Sequence, residues 1–280
     1  MYWNYLLTIC IVCAILSAVG FYKYVYFLSI GYGFAIAGGG IAVFVLALKD
    51  GLAGNVTWLL VLQTVLFVAY GMRLSGFLLI REIKNAAYRK TLKEATGGDK
   101  IPVFVSISIW VCVAILYTAQ VSPVLFRYAN GSGDVTIPIV GVIISVCGIV
   151  LESMADRQKS EQKKTNPNMV ATQGLYKIVR CPNYLGEIIF WTGVFISGIT
   201  TYSGIGQWLM AVIAYVCIVY IMFNGAKRLE KRQMKRYGND KDYNEYADST
   251  PIIIPFIPIY HLNKKDLNTV ALRKLFWGDV

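Results

Sequence analysis

Residues 25–48 read VYFLSIGYGFAIAGGGIAVFVLAL, a run of apolar and small residues without an acidic or basic side chain. About 20 such residues in a helix cross the roughly 30 Å hydrocarbon core of a bilayer. Similar runs recur along the chain, and Arg73 is the one charge inside them. They lie at residues 5–21, 25–48, 56–80, 102–126, 135–151, 188–203 and 207–223. The sequence therefore predicts an all-α, polytopic membrane protein with about seven transmembrane helices.

The composition supports this class. Of the 280 residues, 56% are hydrophobic and only 15% are charged, which is unusual for a soluble domain of this length. Residues 1–5 carry no charge, whereas a signal peptide begins with a basic segment, so the first run is interpreted as a retained helix. We expect one helical domain at residues 1–260 and a short cytoplasmic tail at residues 261–280.

The positive charges gather on one side of the predicted helices. The loop after the first helix, the loop 81–100, the segment 152–184 and the chain beyond residue 223 together hold 24 of the 27 Lys and Arg residues. Lys49 and Arg127 fall on the opposite side. Because basic loops stay in the cytoplasm, the pattern predicts an outside N-terminus and a cytoplasmic C-terminus.

The net charge of +11 does not require nucleic acid as a partner, because anionic lipid headgroups bind such a face. Five of the six cysteines lie inside predicted helices, so no disulfide framework is expected. His261 is the only histidine, and Cys10-x-x-Cys13 has no acidic or histidine neighbour. No metal site and no Ser-His-Asp triad are therefore expected.

The third predicted helix carries polar residues at membrane depth. Arg73 lies about two turns from its cytoplasmic end, where a charge usually faces a polar interior or a partner. Snorkelling of the side chain to the interface is the alternative. Tyr70 lies three residues earlier on the same helical face, where it is either a proton donor beside a cation or an ordinary interfacial aromatic residue.

A pair of acidic residues lies at the cytoplasmic boundary. Glu152 and Asp156 are four residues apart on one helical face, so their charges need a cation, a ligand, protonation or plain solvation. Their helix is expected to continue to about Lys164, before Asn166-Pro167 stops it. The next apolar run is preceded by Pro182, a favoured first residue of a helix.

Asn183 and Glu187 fall in the first turns of that helix, and Arg180 and Lys177 lie just before it. The free N–H groups of a helix start and these cations together predict an anion site. No Gly-x-Gly-x-x-Gly motif follows a strand, so helices would have to hold any dinucleotide.

The last segment combines a basic helix with two tyrosines and a proline-bounded apolar stretch. The basic helix includes Lys227 and Arg228, the tyrosines are Tyr243 and Tyr246, and the apolar stretch is residues 251–255. Such a segment can fold back on the membrane face as a lid.

Four motifs in order over residues 70–258 resemble the steroid 5-alpha-reductase family, especially its bacterial branch. The C-terminal signature, within residues 135–258, includes Gly174-Leu175-Tyr176, Arg180-Cys181-Pro182-Asn183-Tyr184-Leu185-Gly186-Glu187 and Trp191-x-Gly193. It is flanked by Glu152-x-x-Ala155-Asp156-x-Gln158-Lys159, Arg73-Leu74-Ser75 and Tyr243-x-x-Tyr246 with Thr250-Pro251.

The resemblance implies a membrane oxidoreductase that reduces a C=C bond conjugated to a ketone in a lipid-like substrate, with hydride from NADPH. Asn183, Tyr184 and Glu187 would line the nicotinamide and ribose, and Glu152 and Asp156 would contact the cofactor. Arg180 and Lys227 or Arg228 would meet its phosphates, and Tyr243 and Tyr246 belong to the same cofactor motif. Tyr70 would polarise the ketone, with Arg73 near the substrate.

The resemblance also implies a multi-pass protein of the bacterial inner membrane or endoplasmic reticulum, with the active site open to the cytoplasm. Asp50 and Glu82 are the nearest acids that could assist Tyr70. An S-adenosylmethionine-dependent methyltransferase of the isoprenylcysteine carboxyl methyltransferase type is the main alternative, because it shares an Arg-x-Pro-x-Tyr-x-Gly run. A membrane scaffold or transporter is the third class.

Overall fold

The computed structural model describes residues 2–52, 54–84, 89 and 101–263. In this part of the chain, eight α-helices are joined by short 3₁₀ turns and loops, without a β-strand. The helices are α1 Tyr2–Ser17, α2 Ile30–Lys49, α3 Thr57–Lys84, α4 Val103–Ala129, α5 Thr136–Thr165, α6 Pro182–Gly198, α7 Ile205–Tyr237 and α8 Lys241–Ser249. The loop cations Lys90, Lys93 and Lys100 and the tail residues 264–280 lie outside the described residues.

Six of these helices, α1 to α5 and α7, are long and apolar enough to cross a membrane. The protein is therefore a multi-pass integral membrane protein, and the predicted all-α membrane fold is confirmed. Helix α6 has 17 residues and falls just short of a full crossing by length. A seventh crossing and the orientation with an outside N-terminus stay predictions.

Several helices extend beyond the apolar runs that predict them. Helix α5 continues to Thr165, directly before Asn166-Pro167, as the helix-breaking effect of proline predicts. Helix α7 continues to Tyr237, so its basic part is a charged extension beyond the apolar residues 207–223. Helix α6 is shifted relative to the apolar run 188–203, because it begins at Pro182 and ends at Gly198.

The first compact unit comprises Met1–Ile143 and Gly193–Tyr215. Helix α2 packs against α1, α3 and α4 within it. A Cβ atom placed on Gly33 would lie inside contact distance of Ser75 Oγ and 2.5 Å from the Gly71 carbonyl oxygen. The backbones of α2 and α3 therefore touch here, as small residues allow in membrane helices.

The second compact unit comprises Ile144–Thr192 and Val216–Val280, described as far as residue 263. Helices α5 and α6 touch at Gly148 and Gly186, where an added Cβ on Gly186 would lie 2.8 Å from the Gly148 carbonyl oxygen.

The segment after α8 folds back in this unit. Its backbone carbonyls of Pro251 and Ile252 accept hydrogen bonds from the N–H groups of Arg180 and Cys181, at 2.8 and 2.9 Å. Ile252 and Ile253 are buried with Cys181 and Ala226. The segment therefore folds back onto the residues just before α6, and its predicted role as a lid stays a prediction. We call residues 250–263 the C-terminal strap.

Candidate functional site

The predicted site residues divide between the two units. The ten residues assigned to the cofactor all lie in the second unit, whereas Tyr70 and Arg73 lie in the first. The ten are Glu152, Asp156, Arg180, Asn183, Tyr184, Glu187, Lys227, Arg228, Tyr243 and Tyr246. Each group is described within its own unit.

The first turn of α6 supplies Asn183 and Tyr184, both half-buried, and Glu187 follows one turn later in a buried position. The Tyr184 ring lies against Gly225 of α7, since a Cβ there would sit 3.4 Å from the ring. The charges of Arg228 and Glu187 both act on the Tyr184 hydroxyl group. The start of α6 therefore places the Tyr184 phenol against α7, within electrostatic reach of Glu187 and Arg228.

The contact between Gly148 and Gly186 adds the α5 acids to this cluster. A Cβ on Gly186 would lie 2.9 Å from the Cβ of Glu152, so Glu152 lies directly beside α6. Glu152 is 4% exposed and Glu187 is 5% exposed. The structure thus places the buried Glu152 against Gly186, which directly precedes the buried Glu187, a neighbourhood that sequence spacing could not predict. Asp156, one turn after Glu152, is half-buried and acts electrostatically on Tyr176.

The three predicted phosphate-binding cations have different surroundings. Lys227 and Arg228 are exposed on the basic part of α7. Arg180 is buried, and its Nη2 donates to Glu230 Oε1 at 2.9 Å and to the Tyr260 carbonyl oxygen. A phosphate role for Arg180 stays a prediction, but the structure already gives its charge an internal partner. Lys227 and Arg228 are the cations of this set that solvent reaches.

Glu230 is the centre of a buried polar network that the sequence did not predict. His261 Nδ1 lies 2.8 Å from Glu230 Oε1, and His261 Nε2 lies 2.7 Å from Asp248 Oδ1. Glu230 Oε2 accepts hydrogen bonds from the backbone N–H groups of Leu262 and Asn263, at 2.9 and 3.1 Å. These bonds fasten the C-terminal strap to α7 and Arg180. Residues 261–263, which the sequence assigned to a tail, are therefore held in the second unit.

This network explains the ionisation of Glu230, which lies on the charged extension of α7. Burial raises the pKa of its carboxyl group, but the hydrogen bonds from His261 and Arg180 outweigh that effect and lower the pKa from 4.5 to about 2. Burial also raises the pKa of the Cys181 thiol to about 11. The Cys181 thiol is thus protonated at neutral pH.

The two tyrosines of α8 contribute differently. Tyr246 donates its hydroxyl hydrogen to the Tyr176 carbonyl oxygen at 2.7 Å, which ties α8 to the turn Gly174–Lys177. Tyr243 is 4% exposed, and among the described residues its hydroxyl group has no hydrogen-bond partner. Burial raises its pKa, and Arg180 and Glu230 act on it electrostatically. Tyr243 therefore lies at the edge of the ionic network around Glu230, whereas Tyr246 holds α8 against the turn Gly174–Lys177.

The first unit holds the predicted catalytic tyrosine in a buried aromatic cluster. Tyr70 is fully buried and donates a hydrogen bond to the Tyr32 hydroxyl at 3.0 Å. The Tyr32 ring in turn packs on Tyr117, with the centroids 5.0 Å apart. Tyr32 and Tyr70 directly precede Gly33 and Gly71, so the backbone contact of α2 and α3 places the two hydroxyl groups side by side. Arg73, one turn beyond Tyr70, is half-buried.

The acids considered as helpers of Tyr70 have other partners. Asp50 accepts a hydrogen bond from the Tyr5 hydroxyl, and Glu82 forms an ion pair with Lys23. Tyr32 is the polar partner of Tyr70 that sequence reasoning missed. It lies inside an uncharged apolar run, and its position next to a glycine was the only available signal.

These features define an all-helical, multi-pass membrane protein with a cluster of ionisable residues at the start of α6. The chain belongs to the family described as "protein of unknown function (DUF1295)", whose model matches residues 32–250. It is also 26% identical over 121 residues to "Steroid 5-alpha-reductase DET2" of Arabidopsis thaliana. That match covers 42% of this chain and 41% of the relative, which is less than half of either. No solved structure matches.

The two matches together are consistent with a steroid 5-alpha-reductase-like family, and the resemblance predicted from the motifs is confirmed at that level.

We expect Glu230→Gln to lower the thermal midpoint of the detergent-purified protein, because Arg180 and His261 lose their shared buried carboxylate. Breaking a buried ion pair from one side costs about 3–5 kcal/mol. Glu161→Gln, which removes an exposed partner of Arg157, is the matched control and should leave the midpoint almost unchanged.

The difference in thermal midpoint between wild type and Glu230→Gln should also depend on pH. The pKa of the Glu230 carboxyl group is lower in the folded state than in the unfolded state. Its contribution to the stability of the fold is therefore present above pH 4.5 and is lost as the pH falls toward about 2. The gap between the two midpoints should therefore narrow below about pH 4.5. A gap that stays constant from pH 7 to pH 3 would contradict this role of the Glu230 charge.

Proposed function

We propose that this protein is a membrane oxidoreductase that reduces a C=C bond conjugated to a ketone in a lipid-like substrate and uses NADPH. The observation that carries the proposal is the cluster of Asn183, Tyr184 and Glu187 with Glu152 at the start of α6. The likeness to a relative named steroid 5-alpha-reductase supports the reaction class. The active site would open to the cytoplasm.

The residues at the start of α6 fit a dinucleotide in chemical character. NADPH has an anionic phosphate part and an uncharged nicotinamide and ribose part. The exposed Lys227 and Arg228 suit the phosphates. The amide of Asn183 and the carboxylates of Glu152 and Glu187 suit the amide and hydroxyl groups, because carboxylates accept hydrogen bonds from such donors. The two buried carboxylates would repel phosphates, so we assign them to the uncharged end.

NADPH, when bound, supplies the hydride for the reaction. The work of the chain itself is to polarise the substrate and to exclude water. Tyr70 donates a hydrogen bond, and in this role its proton would turn from Tyr32 to the ketone oxygen of the substrate. That bond strengthens as negative charge develops on the oxygen, so it stabilises the transition state more than the ground state. Tyr32 would position Tyr70 when no substrate is present.

The proposal predicts that NADPH raises the thermal midpoint of the purified protein, whereas S-adenosylmethionine does not. A ligand that binds only the folded state at about 100 times its Kd stabilises it by about 2.7 kcal/mol. Stabilisation by S-adenosylmethionine alone would favour the methyltransferase, and stabilisation by neither ligand would favour a scaffold.

Variants of Asn183 and Glu187 test whether NADPH binds at the start of α6. Asn183→Ala and Glu187→Ala should each abolish stabilisation by NADPH while expression and membrane insertion persist. Glu245→Ala, on the exposed side of α8, is the control and should retain the effect. If NADPH still stabilises both α6 variants, then Asn183 and Glu187 are packing residues and the cofactor site lies elsewhere.

Tyr70→Phe should lower the rate of NADPH-dependent reduction of a 4-en-3-one steroid by about 10²–10⁴-fold, since a general acid group contributes on that scale. Stabilisation by NADPH should persist in this variant. Tyr220→Phe removes a hydroxyl group from an exposed position of α7 and serves as the control. An unchanged rate in Tyr70→Phe would exclude Tyr70 as the group that polarises the ketone.

A further inference from the structure

Arg127, near the end of α4, is the largest fully buried side chain in the described part of the protein. Its Nε, Nη1 and Nη2 atoms are all shielded from solvent and make no hydrogen bond of good geometry with a described residue, although Tyr128 and Asp134 act on its charge. A guanidinium group offers five N–H donors and keeps its charge. A charge buried in a membrane helix is costly and usually marks a binding site or a functional site.

Two glutamines extend this set of unused donors. Gln120 is 2% exposed, and neither atom of its side-chain amide has a partner among the described residues. Gln63 of α3 is equally buried; its Oε1 accepts a hydrogen bond from the Tyr128 hydroxyl at 3.0 Å, while its Nε2 lacks a described partner. Tyr128 directly follows Arg127, so Gln63 belongs to the same region. We call Gln63, Gln120 and Arg127 the buried donor cluster.

The local form of α4 supports one shared location for these side chains. Gln120 and Arg127 are seven residues apart, which places them on one helical face, two turns from each other. Between them, Pro123 lacks an N–H group for the Ala119 carbonyl oxygen, which accepts the Ser122 hydroxyl at 2.8 Å instead. The Ala119 carbonyl oxygen therefore has a hydrogen-bond donor. The polar atoms that lack a described hydrogen bond belong to the side chains of Gln120 and Arg127.

The surroundings indicate the charge and the chemical character of a ligand. Asp134 is the acid that acts electrostatically on Arg127, but it already accepts hydrogen bonds from Thr200 Oγ1 at 2.7 Å and Thr136 N at 3.0 Å. The neighbours of the cluster in α4 are apolar, and Val124, Leu125 and Phe126 are buried. The cluster therefore combines one buried positive charge, several amide donors and buried apolar neighbours.

We infer that the buried donor cluster binds the carboxylate group of an amphipathic lipid, such as a medium-chain or long-chain carboxylate. A planar guanidinium fork matches the two oxygens of a carboxylate, and the glutamine amides add donors to the same oxygens. The single charge of Arg127 matches a monoanion better than a phosphate dianion. The apolar residues around it match a hydrocarbon chain. This site lies within the first unit and does not depend on the proposed reductase activity.

The test uses the full-length protein in a carboxylate-free detergent and measures its thermal midpoint with decanoate, methyl decanoate and acetate. We expect decanoate to raise the midpoint, because it has both the charge and the chain. Methyl decanoate lacks the charge and should have no comparable effect. In Arg127→Gln the apparent affinity for decanoate should fall roughly tenfold or more, because a charge-assisted bidentate contact is lost.

Matched variants keep the result interpretable. Lys49→Gln removes an exposed positive charge from the end of α2 and should bind decanoate like the wild type. Gln120→Leu retains the Arg127 charge and should weaken decanoate binding, so it serves if Arg127→Gln does not fold. Absence of a decanoate effect in wild type, or equal effects in wild type, Arg127→Gln and Gln120→Leu, would overturn the proposal. Equal potency of acetate and decanoate would also overturn it, because the site would then bind a small anion without a lipid chain.

Discussion

Direct contact between helix backbones at paired glycines is the constraint on which the placement of the predicted site residues depends within each unit. Lipid chains are as apolar as leucine, so membrane helices associate through close packing of small residues and not through the hydrophobic effect. At Gly33 and Gly71 this contact sets Tyr32 beside Tyr70, the residue that precedes each glycine. At Gly148 and Gly186 it sets Glu152 against the start of α6. In both cases the predicted site residue lies within four residues of a glycine, so a small loss of helix contact would separate it from its neighbour.

The second unit adds an ionic anchor to this packing. The Glu230 carboxylate accepts hydrogen bonds from Arg180 and from two backbone N–H groups of the strap, and the His261 ring nitrogen Nδ1 lies beside it. All four distances are within 3.1 Å. A buried ion pair is not by itself a source of stability, because desolvation offsets much of the attraction. Its effect here is positional: the strap, α7 and the residue before α6 are held in one arrangement. Lys227 and Arg228 of α7 take no part in this anchor and remain exposed.

Much of the fold could be predicted from sequence, because long apolar runs and helix-breaking residues are local signals. The end of α5 at Asn166-Pro167 and the start of α6 at Pro182 follow from such signals. The interaction of Tyr70 with Tyr32 could not be predicted, since the partner is an uncharged residue in another apolar run. In the sequence, Glu230 is a single acidic residue within a basic helix. Its contacts with Arg180 and His261 join positions that are 50 and 31 residues apart. Long-range pairing of this kind leaves no local pattern.

The central claim is that NADPH binds at the start of α6 in the second unit. Hydrogen–deuterium exchange with and without NADPH tests this claim most directly, because it reports binding on each peptide without any substitution. The account predicts slower amide exchange in peptides that cover residues 174–187 and 238–250, with little change in peptides from residues 103–129. Unchanged exchange in residues 174–187, or protection confined to peptides of the first unit, would contradict it.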